Sequence, residues 1–322
     1  MKAHRCLVGI SMVAYAHLQL SSAPAHSTPT VTCPTTIAQS GPEASFRCKA
    51  TVLERLQREI DVTPRIAHSE YVEAYEELFG NSFDAENVGS LTSSERKQLL
   101  RFAAIASWRS SKVRYAHHML MVSQTQLEKN EASEEERQLT YHELISYRKF
   151  DIAYGFAKQA GLDVPRFEII ELVTDPQGSP TALYITEERH RFERREVDLN
   201  HGPRIVVSSS PGCAFCVKAA TAISADTWLN DVFRAHSEWM EPTHTLLNYD
   251  HLHAWQQRYP SLRVSAMYDV AEWPSSMATS VRGTPTFHFF LDGKLEDTMT
   301  GWPDDAKERI QRCLENIGIS LR

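Results

Sequence analysis

Arg204-Ile-Val-Val-Ser208, then Ser209-Ser-Pro-Gly-Cys213-Ala-Phe-Cys216-Val-Lys-Ala-Ala220, is the stretch that decides the fold of the C-terminal part of the chain. An apolar run reads as a strand, Pro and Gly break it, and helix formers follow two thiols spaced C-x-x-C. Cys213 therefore falls at the N-terminus of a helix, where unpaired backbone N–H groups and the macrodipole favour an anion. It is expected to be the thiolate and nucleophile. Cys216, one turn further in, is more shielded and placed to attack a mixed disulfide formed at Cys213. Lys218 adds a cation that is expected to favour the thiolate further.

Farther along the chain comes Arg282-Gly-Thr-Pro285-Thr, followed by Phe287-His-Phe-Phe-Leu-Asp-Gly-Lys294, which reads as turn, strand, tight turn and next strand. Together with Cys213-Ala-Phe-Cys216, this ordered pair of motifs resembles the thioredoxin family over Pro203 to Leu321. The resemblance implies an α/β C-terminal domain, a central mixed sheet flanked by helices. It also implies a cis bond at Thr284-Pro285 facing the thiols, with the Thr284 backbone pairing with an extended substrate. No cofactor is implied.

The pattern departs from that family in places. Gly212 stands where a tryptophan is common, no acid lies on the strand before the thiols, and Ala214-Phe215 is neither Gly-Pro nor Pro-His. An intermediate potential is the expectation. The segment between Cys216 and Pro285 is longer than a compact thioredoxin needs. It reads as a strand at Glu238-Trp-Met-Glu-Pro242, a helix over Asp250 to Arg258, a strand over Leu262 to Tyr268 and a short helix over Ser276 to Val281. That extra strand and helix resemble bacterial periplasmic proteins that handle disulfides during envelope and cytochrome maturation.

Residues 1–25 carry Lys2 and Arg5, an apolar stretch from Leu7 to Leu20 and Ser21-Ser-Ala-Pro-Ala25, the pattern of a secretory signal peptide. The stretch is shorter than the ~20 residues a membrane span requires. A periplasmic or secreted location is expected. Of the six cysteines, Cys6 would leave with the signal. Cys33 and Cys48 flank a Thr, Ser, Pro and Gly-rich lead (26–48) and are expected to form a structural disulfide in an oxidising compartment, the alternative being two unrelated thiols. Cys313 shares a helical face with Ile310, Leu314 and Ile317 and is expected to be a core thiol. Formal charge is −7, and a net-acidic chain without a basic tract is a poor candidate for nucleic acid.

Residues 49–162 read as an all-α domain preceding a thioredoxin-like domain over 163–322. Leu53, Leu56 and Ile60 form one stripe, and Tyr71, Val72, Tyr75, Leu78 and Phe79 a second. Thr92-Ser-Ser-Glu95 is a capping box opening a long third helix through Met119. Glu128 to Glu136 reads as a solvated turn, and Tyr141 to Ala160 as a last helix. One hairpin weakly resembles a tetratricopeptide unit, but no second copy follows at a fixed period. A partner-binding or dimerisation module and a simple packing cap are equally open. Phe167 to Thr174 and Thr181 to Thr186 read as a β-hairpin on the C-terminal sheet, with Glu187 to Glu196 as a charged edge.

The resulting expectation is a thiol–disulfide oxidoreductase acting on protein thiols and disulfides, exchanging electrons with a membrane partner. Two alternatives stand beside it. One is a copper-binding protein, for which His251 and His253 at i, i+2 and the adjacent His117 and His118 read as solvated or half-buried side chains rather than ligands, while among C-terminal histidines only His288 falls near the thiols, with alternation able to turn it away. The other is a redox-silent binding protein whose Cys213–Cys216 bond is structural.

Overall fold

The computed structural model describes residues 42–62, 68–80, 83–110, 112–174, 179–275, 277 and 283–320. Its N-terminal part is helical: α1 (Pro42–Val62), α2 (His68–Phe79), α3 (Ala85–Ser90), α4 (Ser93–Ser110), α5 (Val113–Glu128), α6 (Glu134–Ser146) and α7 (Phe150–Ala160). α1 starts well upstream of Ala50, where the apolar stripe begins. Proline is favoured at a first helical position because its missing N–H would go unpaired there anyway. The long third helix foreseen from Thr92 to Met119 is two helices, for the Ser110 side chain takes the Lys112 amide at 3.2 Å and offers the backbone an alternative to the helical ladder. The segment Tyr141 to Ala160 is likewise broken, by Arg148 at φ 58° between α6 and α7.

The rest is a mixed sheet of eight strands: β1 (Glu168–Glu171), β2 (Thr181–Ile185), β3 (Arg191–Glu196), β4 (Pro203–Ser208), β5 (Ser237–Glu241), β6 (Val264–Met267), β7 (Thr286–Leu291) and β8 (Lys294–Thr300), in the order β1-β3-β2-β6-β5-β4-β7-β8. Strands β4, β5 and β6 are parallel to one another, and β7 runs antiparallel to β4. Helices α8 (Ala214–Ala225) and α9 (Thr227–His236) connect β4 to β5, α10 (Tyr249–Arg258) connects β5 to β6, and α11 (Ala306–Asn316) closes the chain. Asp292 (φ 48°) and Gly293 (φ 80°) make the β7–β8 turn, the left-handed pair a two-residue hairpin needs.

The expected hairpin of β1 with β2 does not form. β1 pairs in parallel with β3, and β3 pairs antiparallel with β2, so the charged segment lies one strand in from the edge. Ion pairs make that position tolerable: Arg191 to Glu168 at 3.1 Å, Arg194 to Glu171 at 3.3 Å and Arg194 to Glu272 at 2.8 Å. Only Phe192 of β3 is buried.

Two faces follow from the strand alternation. Leu183, Ile205, Val207, Trp239, Val264, Phe287 and Phe289 share a core with Cys216, Ala219 and Ile223 of α8 and with residues of α9, α10 and α11. Ala182, Val206, Met240, Met267 and Phe290 point the other way, under Val197, Leu199, Trp273 and Met277. The first core continues into Tyr141, Leu144 and Ile145 of α6 and Phe150, Ala153 and Phe156 of α7. A separate cluster joins α1 to α5. Helix α5 belongs to both, with Ala116 in the first and Tyr115, Met119 and Val122 in the second.

Candidate functional site

Strand β4 ends at Ser208, and Ser209-Ser-Pro-Gly carries the chain to the first turn of α8. Cys213 is the N-cap of that helix, and its sulfur accepts the Cys216 amide at 3.3 Å. A thiol has thus taken the place of the usual Ser, Thr, Asp or Asn acceptor. The Cys213 thiol also donates to the Thr284 carbonyl at 3.5 Å, and the Thr284–Pro285 peptide bond is cis. Cys213, Cys216, Thr284 and Pro285 therefore meet at one place, although 71 positions separate Cys213 from Thr284.

The two thiols differ in environment. Cys213 is half-buried and Cys216 fully buried; both are free, as is the buried Cys313 of α11. Burial pushes the Cys213 thiol up, but hydrogen bonds with Thr284, with the Cys216 side chain and with the Cys216 and Phe215 amides outweigh it, leaving the thiol below its ordinary value. Burial, with the neighbouring Cys213, pushes Cys216 up to about 12, against a backbone hydrogen bond from Ser210. Lys218, foreseen as a stabilising cation, is exposed one turn into the helix, and the lowering at Cys213 comes from hydrogen bonds. Phe215, between the thiols, is 65% exposed.

His288 lies on β7 between Phe287 and Phe289, which belong to the core of Cys216, so alternation turns it to the other face, where it meets Ser208 Oγ at 3.4 Å. Burial lowers it to about 4. His118 stacks on Phe83 with ring centroids 3.7 Å apart and bonds the Tyr75 hydroxyl through Nδ1 at 3.0 Å, while His117, His251 and His253 are exposed. Among the described residues no group of three His, Cys, Asp or Glu side chains could hold a metal ion. No described helix is long and apolar enough to cross a membrane. Cys48, on α1, is disulfide-bonded, and the Cys33 half of the expected bridge lies outside the described residues, as does most of the expected helix at Ser276 to Val281.

The sequence reading passed over a buried polar group beside this turn. β4 carries no acid, but the neighbouring β5 carries two. Glu238 faces the side of Met240; burial pushes it up to about 7, with Arg263, Tyr184 and Ser265 acting against that. Glu241, two residues past Trp239, faces the side of Cys216. It is 3% exposed, its Oε2 has no hydrogen-bond partner, and burial raises it to about 7 against the opposing charge of Arg148. Arg148 reaches in from the α6–α7 turn, fully buried, and donates to the carbonyls of Met267 (3.1 Å), Thr245 (3.1 Å), Ser146 (3.0 Å) and Ile145 (3.2 Å). The one sequence signal was an acid and a proline closing an apolar strand, Trp239-Met-Glu-Pro242.

No protein-family model, curated protein or solved structure matches the chain.

Proposed function

We propose that the chain is a thioredoxin-like thiol–disulfide oxidoreductase acting on protein disulfides in an oxidising compartment. The observation that carries this reading is the asymmetric pair at a helix start. Cys213 is partly accessible, lowered, and in contact with the backbone preceding a cis proline, while Cys216 is buried one turn behind it with its proton held.

In the reductive direction the Cys213 thiolate attacks one sulfur of a client disulfide. A Cys213–client bond forms, and the other client sulfur leaves as a thiolate and is protonated. Cys216 then gives up its proton and attacks Cys213, the second client thiolate leaves, and Cys213–Cys216 becomes the disulfide. Two electrons pass from the pair to the client, and the reverse sequence installs a disulfide. Thr284 presents backbone to an extended client segment beside Cys213, and the half-open position of Phe215 gives that segment an apolar surface to lie on. A membrane partner of the opposite redox state would reset the pair.

The test uses a disulfide-bonded model protein. Cys213→Ser is expected to abolish turnover, whereas Cys216→Ser stops after the first exchange and accumulates a mixed disulfide visible on a non-reducing gel. Turnover by Cys213→Ser, or no mixed disulfide from Cys216→Ser when the wild type is active, overturns the proposal.

A further inference from the structure

The eight-stranded sheet ends on β1 at one side and on β8 at the other. β8 carries Lys294, Glu296 and Asp297, and its pairing with β7 is interrupted between Phe289 and Phe290. Lysines and bulges of this kind keep an open edge from accepting another strand. β1 has no lysine, proline or bulge: it reads Glu168-Ile-Ile-Glu171, and Leu172, next in the chain, is 50% exposed. The Glu168 amide donates to the His190 carbonyl at 2.9 Å and the Leu172 amide to the Arg194 carbonyl at 3.0 Å. Even-numbered residues of the strand therefore face β3, and the backbone N–H and C=O groups of Phe167, Ile169 and Glu171 point outward. The Tyr154 hydroxyl of α7 takes the Phe167 amide at 2.6 Å. Among the described residues nothing takes the amide of Ile169 or Glu171. A groove of about 630 Å³ lies beside this edge, lined by Ile169, Glu171 and Tyr268 from the sheet and by Asp151 and Tyr154 of α7. An apolar and an acidic position thus follow each other in it at the strand's own two-residue period. Asp151 and Glu168, both exposed, add acid to the rim, and Arg166, the only cation lining it, stacks over the Tyr154 ring at 5.6 Å.

We propose that the β1 edge is a strand-acceptor site for an extended segment of a partner protein, one that carries a basic side chain two residues before an apolar one. Added antiparallel to β1, the segment pairs its backbone with the outward groups of Ile169 and Glu171. Its apolar side chain then lies beside Ile169 and its cation beside Glu171 and Asp151. A second copy of this chain is the poorer occupant, for the chain carries a formal charge of −7 and a two-fold pair of edges brings the same acids together. β1 lies five strands from β4, about 24 Å at one strand spacing each, so the site is separate from the thiols.

The experiment titrates the full chain into a fluorescein-labelled octapeptide of alternating Thr and Val, in which one Val is replaced by Lys two positions before the next Val, and reads anisotropy. Saturable binding is expected. Exchanging the peptide's Lys for Glu should weaken it about 5-fold, and Glu171→Lys should reverse the preference between the two peptides. Ile169→Pro removes an outward amide and spares the bonds to β3, because proline is tolerated where its nitrogen faces out of the sheet; it should weaken both peptides about 10-fold. In hydrogen exchange on the unaltered chain, bound peptide should slow the amides of Ile169 and Glu171 and leave that of Ile170, already held by β3, as it was. Should Ile169→Pro not fold, this last readout decides. No saturable binding, equal affinity for the Lys and Glu peptides, or unslowed amides at Ile169 and Glu171 overturns the proposal. A chain that sediments as a dimer dissociated by Ile169→Pro gives the edge to a second copy and overturns it as well. Cys213→Ser should bind the peptide as wild type does, and weaker binding by it would move the peptide to the thiols and refute the placement.

Discussion

Selective alkylation of the two thiols is the sharpest consequence of the site geometry. Cys213 lies below its ordinary value of 9.0, so at pH 7 more than about 1% of it is thiolate. Cys216 at about 12 is ionised to about 10⁻⁵ at the same pH. Since only the thiolate is nucleophilic, the ratio of reactive fractions is about 10³ or more before access is considered. Access works the same way, for Cys216 is buried and Cys213 is not. The reduced protein is treated with limiting iodoacetamide for graded times at pH 7, quenched and digested, and the adducts at Cys213 and Cys216 are quantified by mass spectrometry. The first equivalent is expected almost wholly on Cys213, with a rate that rises with pH to a midpoint below 9. Adducts divided evenly between the two thiols, or a Cys213 midpoint at or above 9, would falsify the assignment of Cys213 as the activated sulfur.

Arg148→Met removes a guanidinium whose donors serve five carbonyls from three parts of the chain. It should cost about 3–5 kcal/mol in urea unfolding, as expected when buried partners are left unpaired; a loss under 1 kcal/mol would deny the bridge any structural weight. Glu241 binds its proton more tightly folded (about 7) than unfolded (4.5). The contribution of Glu241 to stability is therefore most favourable below 4.5, falls as pH rises through that window, and is lower by roughly 3 kcal/mol above 7. Glu241→Gln should remove this loss, so that it gains on wild type between pH 5 and pH 8 in urea midpoints, and a constant difference across that range would contradict it. A chain cut to begin at residue 163 should fail to fold as a soluble unit. The cut strips Tyr141, Leu144, Ile145, Phe150 and Phe156 from the core of the sheet. At about 1.5–3 kcal/mol for each large side chain the loss reaches the whole net stability of a domain, and a cooperative unfolding transition in that fragment would count against the shared core.

The local chemistry of the site was legible because it is written in contiguous residues. Strand, Pro-Gly break, thiol and helix former fix Cys213 at a helix start whatever else the chain does. The partnership of Cys213 with Thr284 came from the family resemblance. Strands β5 and β6 and helix α10 were readable from apolar runs and their flanking breaks. The pairing of β1 with β3 was not, because adjacent strands in sequence favour a hairpin as the default, and the ion pairs that match the parallel register, Arg191 with Glu168 and Arg194 with Glu171, join residues 23 positions apart. Arg148 was invisible for a related reason. Its neighbours Tyr147 and Phe150 have helical spacing, and nothing local records that a guanidinium there caps carbonyls 94 to 119 positions away. Glu241 looked like the polar end of a strand, and it becomes notable only once the sheet face beside it is seen to hold Cys216.

The same helix start lowers one thiol and leaves the other protonated, and this difference bears on the direction in which electrons move. Every interaction that favours the Cys213 thiolate stabilises the reduced pair and makes its disulfide more oxidising. Here those interactions are hydrogen bonds: the Cys216 and Phe215 amides from the chain's own turn, with Thr284 across the site. The exposed Lys218 adds no buried charge, and His288, the one imidazole the sequence placed nearby, faces away on the far side of β7. A thiolate held by neutral donors alone is stabilised less than one held by a cation as well. If the proposed thiol–disulfide function holds, the pair would accordingly be tuned toward exchange in either direction rather than toward strong oxidation, with the compartment and a redox partner setting the net flow.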